Sequence, residues 1–182
     1  MPLILLWMKT RPEQFLSKSP NIRYCLPAIW LAWMVLPPAP LSAQTFRLSS
    51  ASGSRGDQIT LELQLKSPPA KKPLGLQWEA KVPKAALAWR NDRISIGPSA
   101  EAAGKKLTCA MSEDAGALTA KCILAGGQAP IPDGTVAFLR FLIPMNAPPG
   151  SVPVRIENGL AVSTNIERIP VGPVEATVAI RR

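Results

Sequence analysis

The chain has 182 residues, 21 of them Lys or Arg against 12 Asp or Glu, and it contains no histidine. The missing histidine excludes His-dependent catalytic triads and removes the commonest metal ligand. The net charge of +9 favours encounter with acidic partners. Yet the pairs Lys71-Lys72, Lys105-Lys106 and Arg181-Arg182 lie far apart with no aromatic-rich basic motif, so nucleic acid is not the expected partner.

Residues 1–43 read as a secretory signal peptide. Lys9, Arg11, Lys18 and Arg23 stand against Glu13 alone, an apolar run extends from Tyr24 to Leu36, and Leu41-Ser42-Ala43 offers a small-residue cleavage site. The alternative is an uncleaved anchor, but a run of about 13 residues interrupted by Pro27 is short for a bilayer crossing. No stable membrane span is expected after cleavage. Met8-Lys9 would make a more ordinary start than Met1, and Cys25 precedes the apolar core, where it is not placed as a lipid anchor. The expected product is one domain, residues 44–182, secreted or periplasmic, with 17 Lys and Arg against 11 Asp and Glu. A chain of that size buries roughly two-thirds of its unfolded surface and needs no metal to hold it.

Phe46-Arg47-Leu48 opens this domain as a short strand, and Ser49 to Asp57 reads as a turn rich in Ser and Gly. Gln58 to Leu65 alternates polar and apolar, the mark of a strand with one wet face. A loop with Pro and Lys covers Ser67 to Pro73. Leu74 to Val82 alternates again, burying Leu76, Trp78, Ala80 and Val82 and exposing Gln77, Glu79 and Lys81. Pro83 to Leu87 suits one helical turn, and Arg93 to Ile96 a short strand. Leu107–Met111 and Ala117–Leu124 form a hairpin around Asp114-Ala115-Gly116. Counting outward from Ala115-Gly116 sets Cys109 opposite Cys122, within disulfide reach, and export makes oxidation the expected state.

Pro132-Asp133-Gly134 then turns the chain into Thr135–Ile143, apolar at nearly every position. That run, with Phe138 and Phe141, reads as a central strand buried on both faces. Asn158-Gly159 between Val152–Ile156 and Leu160–Ser163 signals another hairpin, and Val174–Ile180 is the last strand. About nine short strands with no convincing helix predict an all-β sandwich of jelly-roll topology.

Three blocks give the chain a family likeness. Gly56-Asp57 precedes the alternating strand Gln58-Ile59-Thr60-Leu61-Glu62-Leu63. Asp133-Gly134 precedes Thr135-Val136-Ala137-Phe138-Leu139-Arg140-Phe141. Ala147-Pro148-Pro149-Gly150 leads into Val152-Pro153-Val154-Arg155-Ile156. In order and spacing they resemble a cohesin domain, a nine-stranded sandwich related to certain cellulose-binding modules. There is one departure: Val82-Pro83-Lys84-Ala85-Ala86-Leu87 stands where the family often has an aromatic-Asp-Pro segment, and it lacks the aspartate. The resemblance implies a non-catalytic module that binds a dockerin-like protein, which carries its own calcium, through a sheet face that includes Gln77, Glu79 and Lys81. Two alternatives stay open: direct binding of a polysaccharide, as the related modules do, and a structural role in an envelope assembly.

The remaining candidates for chemistry are sparse, and the expectation is no catalysis, no resident metal and no cofactor. Cys109 and Cys122 lack further ligands for zinc. Glu113-Asp114 is the only adjacent carboxylate pair and sits beside a turn, and Asp133-Gly134 lacks the other acids of a calcium loop. Arg55-Gly56-Asp57 copies an adhesion tripeptide but is better explained as the turn before a strand. Gly104-Lys105-Lys106 lacks the upstream glycine of a phosphate loop. Sugar binding favours exposed rings, and Trp89, in a loop, is the one ring that alternation leaves free.

Overall fold

The computed structural model describes residues 44–182, apart from Ala115 and the side chain of Asn91. The expected signal peptide, 1–43, lies outside the described residues. No described helix is long and apolar enough to cross a membrane.

Among the described residues, eleven strands form two sheets. They are β1 (Thr45–Leu48), β2 (Ala51–Ser54), β3 (Gln58–Lys66), β4 (Gly75–Pro83), β5 (Ile94–Ile96), β6 (Lys106–Glu113), β7 (Ala117–Ala125), β8 (Gly134–Leu142), β9 (Gly150–Val162), β10 (Arg168–Val171) and β11 (Val174–Arg181). The smaller sheet runs β1-β3-β8-β5. The larger runs β2-β11-β9-β4-β7-β6, with β10 beside β11's end of the same β9 edge. This is the all-β sandwich that the alternation predicts. Each alternating strand turns its apolar set inward: Leu61, Leu63 and Leu65 from β3 and Leu76, Trp78 and Ala80 from β4 are all buried in one cluster. Phe46 and Trp78 meet edge-on between the sheets, with ring centroids 6.3 Å apart. Among the described residues the core runs from Phe46 to Ile180 as one continuous cluster.

Four local expectations need correction. The stretch 49–57 is not all turn: the N-terminal strand breaks at Ser49-Ser50 and switches sheets, and β2 pairs in parallel with β11. β8 is not buried on both faces. A two-layer sandwich leaves its outer side wet, so Phe141 is fully buried while Phe138 is half-buried and Arg140 and Leu142 are exposed. A bulge opposite Leu63-Gln64 is what buries Val136 and Ala137 in succession. A short helix α1 (Pro98–Ala102) follows β5, with Pro98 in its first turn; five residues are too few to display a helical period.

The fourth correction is Asn158-Gly159, which forms no hairpin. β9 runs through it as one strand of 13 residues. Glu79 pairs with Glu157 and Gln77 with Leu160, so two residues of β9 oppose one of β4. Asn158 takes φ 52° at this bulge. Gly159 is required for a different reason: a Cβ there would lie 2.7 Å from the Val171 carbonyl and 3.1 Å from the Phe46 ring. The dipeptide bends a long strand so that β11 and then β10 pair with it in turn.

Candidate partner-binding face

The outer face of the larger sheet holds the three residues expected on β4. Gln77, Glu79 and Lys81 all point away from the core, yet each is only half-exposed. The register explains this: Gln77 lies between Ile123 and Leu160, while neighbouring strands supply charged partners to Glu79 and Lys81. Lys121 on β7 reaches Glu79 at 2.8 Å and Lys81 reaches Glu157 on β9 at 2.8 Å. Arg155 on β9 reaches Glu175 on β11 at 2.6 Å. The Asn158 side-chain amide donates to Glu79 at 2.8 Å, brought there by the bulge. These bonds from Lys121 and Asn158 hold the Glu79 carboxyl below its ordinary value, while the Glu157 carboxylate raises Lys81 and the Glu175 carboxylate raises Arg155. One half of the face is therefore a neutralised lattice of opposite charges.

The other half is apolar. Antiparallel pairing lines up Thr108, Ile123, Gln77, Leu160 and Pro170 across β6, β7, β4, β9 and β10. Ile123 is 47% exposed. Gly75, Gln77, Ile123, Ala125, Leu160 and Val162 line a shallow depression of about 120 Å³. Sequence reading missed Ile123 and Leu160. A signal was present: Ile123 follows Cys122 and precedes Leu124, so an apolar residue occupies the wet phase of an alternating strand.

Cys109 and Cys122 are bonded to each other, as the hairpin count predicts, and sit opposite in the β6–β7 register. The bond anchors edge strand β6 to the strand that presents Ile123.

Trp89 is not free. Ala88 and Leu142 exchange two backbone bonds, at 2.9 and 3.0 Å, which turns the next residue inward. The indole packs on Phe141 at a centroid distance of 4.9 Å and is only 5% exposed. Beside it, Arg90, Asp92, Met111, Ser112, Glu113 and Leu118 complete an open depression of about 750 Å³ at the opposite end of the sheet from Gly75.

The remaining motifs have structural explanations. Asp57 accepts the Ser54 N–H at 2.7 Å, closing the turn, and Arg55 donates to the Ala147 carbonyl at 2.9 Å, tying the turn to a distant loop. Asp133 accepts the Ser67 N–H at 3.0 Å, and Glu113 pairs with Lys84 at 2.9 Å. Lys105 is buried and donates to the Gly126 and Gly127 carbonyls at 2.7 and 3.1 Å; burial lowers its pKa. Among the described residues no group of three or more His, Cys, Asp or Glu is placed to hold a metal ion.

No family profile matches the chain, and no curated protein sequence matches it. Solved structures do. A chain of a type I cohesin–dockerin complex from Clostridium thermocellum aligns over 77% of this chain and all of its own length, at 16% identity and TM-score 0.65. A non-cellulosomal cohesin from the archaeon Archaeoglobus fulgidus aligns over 78% of this chain and 93% of its own, at 12% identity and TM-score 0.62. The cohesin module of a Clostridium perfringens family 33 glycoside hydrolase aligns over 77% and 96%, at 9% identity and TM-score 0.59. Residues 44–182 have the cohesin-like β-sandwich fold.

Proposed function

We propose that residues 44–182 are an exported, non-catalytic recognition module that binds a protein partner through the outer face of β9, β4, β7 and β6. The observation that carries this reading is the apolar strip of Ile123, Leu160 and Pro170, interrupted by Gln77 and bordered by a charge-neutralised lattice. An isoleucine nearly half-exposed in mid-sheet gains by being covered, and pre-paired charges around it impose little desolvation on a partner. Complexes of cohesins with dockerins among the structures sharing this fold support a protein as that partner. The proposed partner is dockerin-like, carries its own calcium, and acts in extracellular or envelope polysaccharide processing.

The test is capture. Residues 44–182 are immobilised and exposed to the secreted and envelope proteins of the source organism, with and without a calcium chelator. Retention of a protein only with calcium, lost in Ile123→Asp and weakened about tenfold in Lys81→Glu, is the expected result. Equal retention by Ile123→Asp removes this face. A second reading, glycan binding, rests on the depression beside Trp89, whose rim of Arg90, Asp92, Ser112 and Glu113 offers hydrogen bonds to hydroxyls. Trp89→Ala would open the core, so the cleaner probe is Arg90→Ala with Asp92→Ala. Glycan retained by the parent and lost in that variant supports this second reading.

A further inference from the structure

Ile166 is the most exposed large apolar side chain among the described residues, at 82%. Its φ of 62° is a left-handed conformation that a β-branched residue adopts only under constraint. The constraint is a closed loop. Ser163 N–H donates to the Glu167 carbonyl and Ile166 N–H to the Ser163 carbonyl, both at 3.0 Å. The Ser163 hydroxyl accepts from the N–H groups of Asn165 and Glu167, both at 3.2 Å. The chain thus accepts local strain to hold an isoleucine out in water.

Cations gather at the same end of the sandwich. Loop 67–73 lies alongside, tied by the Leu74 N–H to the Val162 carbonyl at 2.7 Å, and carries Lys71 and Lys72. Lys66 closes β3, Arg168 opens β10 and Lys106 opens β6. None of these five takes part in a salt bridge among the described residues. The acids at this end are Glu101, Asp133 and Glu167, and the Asp133 carboxylate is engaged by the Ser67 N–H. The buried Gln44 side chain, just before β1, holds this loop by donating to the Lys71 carbonyl at 2.7 Å.

We infer that this end of the domain docks on an anionic lipid bilayer. Ile166 enters the boundary between headgroups and acyl chains, and Lys66, Lys71, Lys72 and Arg168 contact headgroup phosphates. A bilayer presents negative charge above apolar depth, which matches an exposed apolar tip at the same end as unpaired cations. A protein partner would favour a broader apolar patch, which the sheet face offers and this tip does not. The inference is independent of the partner reading above.

Binding is read by co-sedimentation of residues 44–182 with vesicles of phosphatidylglycerol and phosphatidylcholine in equal parts, and with phosphatidylcholine alone. Ile166→Asn removes the apolar tip but tolerates the left-handed backbone, so the loop keeps its shape. The double variant Lys71→Glu with Lys72→Glu reverses two cations. Met145→Asp, 75% exposed at the opposite end, is the control. The expected result is binding to the mixed vesicles only, cut about tenfold by Ile166→Asn and by the lysine reversal, and unchanged in Met145→Asp. No binding to mixed vesicles overturns the inference. So does loss in Met145→Asp with Ile166→Asn unaffected. Loss on lysine reversal with no effect of Ile166→Asn overturns it too, leaving charge-only recognition of a soluble polyanion.

Discussion

Ile166 also sets a stability prediction. A left-handed backbone brings the Cβ of an L-residue close to its own carbonyl oxygen, at a cost of about 1–2 kcal/mol, and Asn avoids most of it through local hydrogen bonding. Ile166→Asn is therefore expected to raise the thermal midpoint by a few degrees, at about 1 kcal/mol, although it removes apolar surface. An unchanged or lowered midpoint would mean that the loop carries no strain. Single residues were also where sequence reading was least secure. Alternation places a side chain only when the strand is known, and Trp89 lies where no strand is legible. Its burial follows from the backbone bridge between Ala88 and Leu142, a contact across 54 positions that nothing local encodes. Asn158-Gly159 misled for the opposite reason. The same dipeptide chemistry serves a tight turn and a bulge, and the choice is made by Val171 and Phe46, which crowd Gly159 from distant strands.

At the scale of elements, the strands with clean alternation, β3, β4 and β11, were legible because one buried face imposes a period of two. β10 was not, since Pro170 breaks the pattern; as a partner of β9 alone it loses no bond on its free side. The β6–β7 hairpin was legible down to its register, and it carries the next prediction. The Cys109–Cys122 bond closes a separation of 13 residues, and removing such a bond costs about 3 kcal/mol. Cys109→Ala with Cys122→Ala should lower the urea midpoint accordingly and weaken any partner bound at Ile123, because β6 is an edge strand. A loss under about 1 kcal/mol would show that β6 is held by its ladder alone. Between elements, Glu79 links three strands. Its carboxyl is held below the ordinary 4.5 by Lys121 and Asn158, so its contribution to stability is present above that value and is lost as pH falls through the lower folded value. Stability should decline more steeply below pH 4.5 in the parent than in Glu79→Gln. Parallel acid curves for the two would mean that these bonds do not favour the ionised form.

The whole molecule was legible in its class before any contact was known. Strand-length runs with a turn about every ten residues leave little besides two packed sheets, and the cohesin-like order of blocks narrowed the topology. The partner-binding face was half legible. Gln77, Glu79 and Lys81 follow from alternation along β4, but the apolar strip exists only because β7 and β9 are set beside it with Ile123 and Leu160 in register. Such a face is only as rigid as the sandwich behind it, and that sandwich has one core. Leu61, Leu63 and Phe141 of the smaller sheet and Trp78, Leu124 and Ile156 of the larger belong to a single buried cluster, so neither sheet has an apolar interior of its own. Unfolding is therefore expected to be all-or-none. Trp78 reports the inter-sheet contact with Phe46, and Trp89 reports the contact with Phe141 in the smaller sheet. Far-ultraviolet circular dichroism reports strands throughout. On heating, tryptophan fluorescence and circular dichroism should give one midpoint, and the calorimetric enthalpy should equal the van't Hoff value. If fluorescence moved first, the sheets would be separating before their ladders break, and the partner-binding face would survive on a sheet that holds its register without the core.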